Sequence, residues 1–251
     1  MYRIRTLQTQ LYKKDGYRQR CPSTNAKPQT HLKMLFHNTL KTSLFAILVL
    51  FSSYLMLMII LPYSGGALNI DFLLTKQHII HLRHYRWAFH LHIFTSLYVL
   101  LVGVVQFSAS FLRKWPLVHR LLGQGYVFII LCISGPAALV MSCYSNGDWS
   151  ARISFILLSV LWWWFTWRAY QTARNKQFEH HGAFMIRSYA LTLSAVTLRI
   201  LQYGISNWWY LNPDVQYSIV AWASWGLNLA FAEILIFRKM GSSAYRGFQP
   251  R

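Results

Sequence analysis

Histidine is the residue type in this 251-residue chain whose positions best suggest chemistry. His119 and His181 each precede a long apolar segment, and His180 is an alternative to His181. Two neutral imidazoles on separate helices can ligate the iron of a b-type haem, with cations nearby to meet the propionates. Such cations are present at Lys114, Arg120 and Arg187. The pattern therefore predicts a haem b site; contacts to lipid phosphates, water, a metal or a quinone are the alternatives.

Arg199 is a second candidate, since it lies roughly 18 Å along a helix axis from Arg187 within one apolar segment. An arginine at that depth costs about 2.5–3.5 kcal/mol on insertion scales, which favours a polar interior. There it would meet an anionic ligand or His92, which lies deeper than His90; otherwise its side chain snorkels to the membrane surface. The predicted cofactor-binding residues are His92, His119, His181, Arg187 and Arg199.

Three further histidines, His78, His81 and His84, are spaced so that helical neighbours could share a divalent metal ion. The segment has no cysteine or acidic residue beside them, and Arg83 and Arg86 are adjacent. An amphipathic segment at the membrane interface explains this pattern better than a metal site does. We predict no metal site and assign no catalytic residue, and the sequence leaves open whether the protein is an enzyme.

The composition indicates what must position these groups. Hydrophobic residues make up 55% of the chain and charged residues 12%, against about 25% charged in an average soluble domain. The apolar residues form blocks of about 20 residues, the length that crosses a bilayer as a helix. We therefore predict an all-α, polytopic membrane protein built as a six-transmembrane-helix bundle. The expected spans are 40–61, 87–110, 121–143, 153–169, 183–205 and 217–237.

Basic residues predict the orientation of these spans. They are concentrated in the N-terminal tail, in alternate loops and at the C-terminus, while the other side holds only Lys76, Arg83, Arg86 and Arg152. Cytoplasmic loops carry the excess of Lys and Arg, so both termini should be cytoplasmic. The chain then divides into a basic, disordered cytoplasmic tail (1–38), a six-helix membrane domain (39–240) and a short cytoplasmic tail (241–251).

The expected partner is the lipid bilayer, with a quinone or a redox protein as a further partner. The formal net charge of +19 fits anionic lipid, and nucleic acid is not expected because no folded reader module accompanies the basic tail. Gly135-Pro136 predicts a kink in the third span, and Glu233 is placed where it can meet Arg187 or the inner histidines. The inner membrane of a bacterial cell is the expected location, with an organellar membrane as the alternative.

Two sequence stretches carry a resemblance to a known family. They are His119-Arg120-Leu121-Leu122-Gly123-Gln124-Gly125-Tyr126, and His180-His181-Gly182-Ala183-Phe184-Met185-Ile186-Arg187-Ser188-Tyr189-Ala190-Leu191-Thr192, which continues to Arg199. They resemble a bacterial family of multi-pass membrane proteins catalogued as a domain of unknown function. The chain is more loosely similar to bundles of the cytochrome b561 and ferric-reductase type, which implies haem between neighbouring helices.

These observations favour a membrane redox protein that binds haem b or a quinone. The alternative is a non-catalytic carrier or accessory subunit, in which the same polar residues form a hydrogen-bonded interior. A carrier usually shows broken helices or inverted repeats, and only the third span is interrupted here. The scarcity of carboxylates within the spans also disfavours a proton pump.

Overall fold

The computed structural model describes residues 28–208 and 212–238. The chain divides into two compact units, Met1–Ser43 and Leu44–Arg251. Within the described part of the first unit the chain is helical, because the first helix already begins at Pro28. Residues 28–38, expected in the disordered tail, are thus helical, while the predictions for residues 1–27 and 239–251 lie outside the described residues.

The described residues form helices and connecting turns, with no strand among them. The α-helices are α1 (Pro28–Ile60), α2 (Asp71–Leu74), α3 (Arg83–Gln106), α4 (Ala109–Lys114), α5 (Pro116–Ile129), α6 (Gly135–Ser142), α7 (Trp149–Arg174), α8 (Phe178–Thr192), α9 (Ser194–Trp208) and α10 (Pro213–Phe237). A 3₁₀ turn, Leu61–Gly65, follows α1, and a π-helical turn, Ile130–Ser134, joins α5 to α6. The all-α prediction is confirmed for this part of the chain.

Five helical segments of the described chain are long and apolar enough to cross a membrane: Ala46–Gly65, Arg83–Gln106, Pro116–Ser142, Phe178–Trp208 and Pro213–Phe237. They overlap five of the six expected spans. The fourth expected span corresponds to α7, which has 26 residues and is therefore roughly 39 Å long. It is not among the five segments above, and it carries Arg152, Arg168 and Arg174.

The predicted interruption of the third span is present as the π-helical turn. Gly135 N–H donates to the Ile130 carbonyl, and Pro136 has no N–H to continue the regular ladder. A Cβ at Gly135 would lie 2.4 Å from the Ile130 oxygen, so the turn requires glycine there. Two carbonyls of the turn accept from other helices instead: Leu131 from Trp163 Nε1 and Ser134 from His92 Nδ1.

Close packing between helices depends on small residues. The buried positions of α7 are Ala151, Ser154, Ser159, Trp162, Thr166, Ala169 and Thr172, and this face packs against α6, α8 and α10. On α3, Gly103 lies under the Tyr189 ring, so close that an added Cβ would fall 2.0 Å from the ring. Small residues let helix backbones approach in this way in membrane bundles.

Large apolar side chains such as Phe51, Ile200 and Phe231 are exposed on the outside, as lipid contact requires.

Two ends of the second unit are distinguished below. Contacts of Gln106 with His119, of Ala169 with His181 and of Arg187 with Glu233 define one end, here called the histidine end for His119 and His181. The start of α3, the 143–148 loop and the starts of α7 and α10 meet at the other, here called the lysine end for Lys76. Asp148 accepts from Ser218 at the lysine end, and Tyr217 packs against Gly147 there.

Candidate functional site

The histidine end brings His119 and His181 together. His119 lies in the first turn of α5 and His181 in the first turn of α8, and the two imidazoles are within electrostatic range of each other. Both side chains are partly buried. Gln106, at the end of α3, donates to the His119 carbonyl at 3.2 Å and so ties α3 to α5 at this point. His180, the alternative partner, is exposed.

Hydrogen bonds constrain the two imidazoles differently. His181 Nδ1 lies 2.8 Å from the Ala169 carbonyl; because a carbonyl only accepts, this nitrogen carries the proton and Nε2 carries the lone pair. A backbone carbonyl on the far nitrogen is the arrangement that orients metal-ligating histidines. His119 Nδ1, in contrast, is buried without a hydrogen-bond partner among the described residues. A buried imidazole nitrogen in this state has hydrogen-bonding capacity that the described residues do not use.

The charge of Arg187 is paired with a carboxylate and is not available to the histidine pair. Its Nε and Nη2 donate to the two oxygens of Glu233 at 2.6 and 2.8 Å, a bidentate ion pair between α8 and α10. The guanidinium also lies over the rings of Phe165 and Phe184. The suggested pairing with Glu233 is confirmed. Arg187 therefore holds two helices together beside the pair, with its charge already neutralised.

A chain of hydroxyl groups runs through the bundle about two turns deeper than His181. Tyr126 on α5 hydrogen bonds to Ser188 at 2.9 Å and to Thr192 at 3.2 Å, both on α8. Ser188 also bonds to Thr166 on α7 at 2.7 Å, and Trp162 donates its Nε1 to Thr192 at 3.0 Å. These side chains are buried. The chain joins α5, α7 and α8 by directional bonds, which are worth most where water is excluded.

The other two predicted site residues lie away from the histidine pair. His92 is bonded to Ser134 of the π-helical turn, roughly 21 Å along α3 from Gln106. Arg199 is exposed on α9 and acts electrostatically on Tyr217, which belongs to the lysine end. The structure thus brings His119 and His181 together, places Arg187 six residues further along α8, and separates the pair from His92 and Arg199.

Sequence reasoning missed the hydroxyl chain and Gln106. Ser188 and Thr192 are one helical turn apart on α8, a spacing that places them on one face, but serine and threonine are common in membrane helices for packing alone. Only the facing positions of Tyr126 and Thr166 turn that face into a connected chain. In the described ranges, no group of three or more His, Cys, Asp or Glu side chains could hold a metal ion.

The fold and site define a multi-pass helical membrane protein with a partly buried histidine pair near one end. Residues 89–236, more than half of the chain, match the model of the family described as "Predicted membrane protein (DUF2306)". The chain belongs to this family. The matched range begins in α3, ends in α10 and includes both stretches on which the resemblance was based. No curated protein and no solved structure matches the chain.

Proposed function

We propose that this protein is a membrane redox protein that binds one haem b at the histidine end, with His119 and His181 as axial ligands. The observation that carries the proposal is the His119–His181 pair itself. Two partly buried imidazoles from separate helices lie within electrostatic range of each other, one oriented by the Ala169 carbonyl and one with a buried nitrogen left without a partner in the described chain.

The donor set fits haem better than a bare metal ion, because two imidazoles complete the axial positions of haem iron but leave a metal ion mostly uncoordinated. Haem would supply one-electron chemistry. The protein's own contributions are to hold both rings, to exclude water and to provide cations for propionates. With Arg187 committed to Glu233, those cations are Arg113, Lys114 and Arg120, which cluster at the same end.

The topology proposed for this function has six spans with both termini in the cytoplasm. α7 is long enough to cross the membrane. It packs against α6, α8 and α10, which belong to the third, fifth and sixth expected spans. Counting α7 as a span sets the histidine end on the basic, cytoplasmic side. The bacterial inner membrane is the membrane that fits this assignment, and the electron donor or acceptor would approach from the cytoplasm or within the bilayer.

A quinone is the second candidate for the same site. His119 Nδ1 is buried and unpaired within the described residues, and an imidazole nitrogen in that state suits a hydrogen bond to a quinone carbonyl. In this case the two histidines would be hydrogen-bonding partners and not iron ligands.

The test is the ultraviolet-visible spectrum of the full chain, purified in mild detergent from cells supplied with haem. A Soret band, with α and β bands after dithionite reduction, should be present in wild type and lost in His119→Ala and His181→Ala. The matched control is His180→Ala, which removes the exposed neighbour and should retain the spectrum. A featureless spectrum from folded wild-type protein would refute haem binding. Quinone in the organic extract of that protein, lost from both alanine variants, would establish the second candidate; absence of both groups would favour a carrier or accessory role.

A further inference from the structure

The lysine end contains a buried cation that the proposed redox site does not use. Lys76, in the connection between α2 and α3, is 1% exposed. Its ammonium donates to the Tyr144 carbonyl and lies 5.6 Å from the centroid of the Phe72 ring. A buried ammonium is normally found beside a carboxylate, because an unpaired charge is costly to desolvate. In the described part of the chain, Lys76 forms no ion pair.

A second cation, Arg152, is near enough to Lys76 to repel it electrostatically. Arg152 lies in the first turn of α7, where its guanidinium is 4.6 Å from the centroid of the Trp149 ring. It too lacks an ion pair within the described residues. Asp148 is close in sequence, but its carboxylate accepts from Ser218 and from the backbone N–H of Ala151. Two cations are therefore adjacent with no carboxylate committed to either.

Two side-chain atoms at this end also have no hydrogen-bond partner within the described residues, one of them on Arg152 itself. Arg152 Nε and Ser145 Oγ are buried and have no hydrogen-bond partner among the described residues. Ser145 directly follows Tyr144, whose carbonyl holds Lys76, and Asn146 anchors the same loop by donating to Thr75 at 3.0 Å. Both unpaired atoms can donate a hydrogen bond. A pair of cations with two unused donors is complementary to oxygen atoms that carry negative charge.

We propose that the lysine end binds an oxyanion, a phosphate or carboxylate group, between Lys76 and Arg152, with Ser145 as a third donor. The ligand supplies the missing negative charge and accepts from the donors that the chain leaves unpaired. Arg199, exposed near Tyr217 at the same end, adds positive potential that attracts anions toward the site. The group can belong to a soluble anion or to a lipid headgroup, since both present the same oxygens.

The electrostatics of Lys76 agree with this assignment. Burial, followed by the charge of Arg152, lowers the pKa of the Lys76 ammonium from 10.5 to about 8. A bound oxyanion would offset both effects and keep the lysine charged. The site is independent of the histidine pair at the opposite end, so it does not depend on whether haem or quinone binds there.

The experiment measures thermal unfolding of the full chain in an uncharged detergent while inorganic phosphate replaces chloride at constant ionic strength. Phosphate stabilises many proteins non-specifically, so the comparison is between variants. Wild type should be stabilised in a saturable manner, Arg152→Gln should bind about tenfold more weakly, and Ser145→Ala should bind a few-fold more weakly. Arg83→Gln removes an exposed arginine from the same end and should behave like wild type.

A second arm replaces phosphate by phosphatidylglycerol or phosphatidylcholine in mixed micelles. Stabilisation by phosphatidylglycerol alone, lost in Arg152→Gln, would support the site and identify the lipid headgroup as its source. Stabilisation by inorganic phosphate, lost in the same variant, would identify a soluble anion. Equal responses of wild type, Arg152→Gln and Arg83→Gln, or no response to either ligand, would overturn the proposal. None of these variants should alter the visible spectrum.

Discussion

At the histidine end, Arg187 is neutralised by its bidentate pair with Glu233, whereas Arg113, Lys114 and Arg120 are exposed. At the lysine end, Lys76 and Arg152 lie together without an ion-paired carboxylate in the described chain. The histidine end groups two imidazoles and suits a group bound through nitrogen. The lysine end groups two cations around a buried ammonium and suits an anion. The type of side chain that the fold groups together, more than the number of basic residues, thus distinguishes the ligand chemistry of the two ends.

The largest expected effect comes from the close contact between α3 and α8, where Gly103 lies under the Tyr189 ring. Gly103→Val places new atoms where even a Cβ would lie 2.0 Å from the Tyr189 ring. We expect the free energy of unfolding to fall by about 3 kcal/mol. The histidine-end spectrum should be lost before phosphate binding is, because Gln106, which bonds to the His119 carbonyl, lies one turn further along α3. Unfolding by SDS in mixed micelles measures this change.

The control for that variant is Gly226→Ala on α10, where a new Cβ meets nothing within 4 Å. It should leave stability unchanged or slightly raised, since alanine favours helix over glycine. Equal stability of Gly103→Val and Gly226→Ala would show that α3 and α8 are not held together by this contact.

Tyr126→Phe should have the next largest effect, since it removes one hydroxyl and leaves Ser188 and Thr192 with fewer partners in a buried site. Loss of a buried hydrogen-bond partner costs about 1–3 kcal/mol. The same SDS titration should report this loss, and the effect should be confined to the half of the bundle near the histidine end. Tyr203→Phe, at a residue that is 74% exposed, is the matched control and should be neutral.

The lysine end should respond to alkaline pH. Because the folded-state pKa of Lys76 is about 8 and its ordinary value is 10.5, the charged form is disfavoured in the fold. Without anion, stability should rise as pH increases from about 8 to about 10.5 and level off at its lower value below about pH 8, where the lysine is protonated in both states. The groups that face Lys76 are Arg152 from α7 and the Tyr144 carbonyl, with His84 bonded to the Tyr144 hydroxyl behind it.

Melting temperatures measured between pH 7 and 10.5 test this prediction. Lys76→Gln should remove the rise, Lys114→Gln at the opposite end should keep it, and saturating phosphate should reduce it in wild type. A rise that persists unchanged in Lys76→Gln would mean that another group titrates.

Glu233→Gln should give the smallest effect. Its ion pair with Arg187 is partly exposed, with 48% of the Glu233 side chain accessible, and pairs of this kind contribute less than about 1 kcal/mol in water. A double-mutant cycle with Arg187→Gln isolates the coupling, which should weaken as salt concentration rises. A coupling of several kcal/mol would show that the pair is held in a far less polar environment than the surface of the bundle provides.

Much of the architecture follows from the sequence alone. Long apolar blocks flanked by basic residues have one stable solution in a bilayer, the helix, because no water is present to satisfy an unpaired backbone. The sequence also predicted the interruption at Gly135-Pro136, where proline removes a hydrogen-bond donor. It predicted the approach of Arg187 to Glu233 as well, because the fifth and sixth spans run in opposite directions. The sequence did not predict that a helix begins at Pro28, since the composition of residues 28–38 is basic and polar.

The candidate sites depend on tertiary structure. Hydropathy fixes which segments are helices but not how each helix is rotated or which neighbours it meets. Rotation about the axes decided that Tyr126, Thr166 and Ser188 share a hydrogen-bonded chain and that His92 bonds to Ser134. Lys76 and Arg152 are far apart in sequence and meet only because the 143–148 loop folds over the α2–α3 connection. The sequence determined the class of protein, and the packing of helices and loops decided where its charges and imidazoles meet.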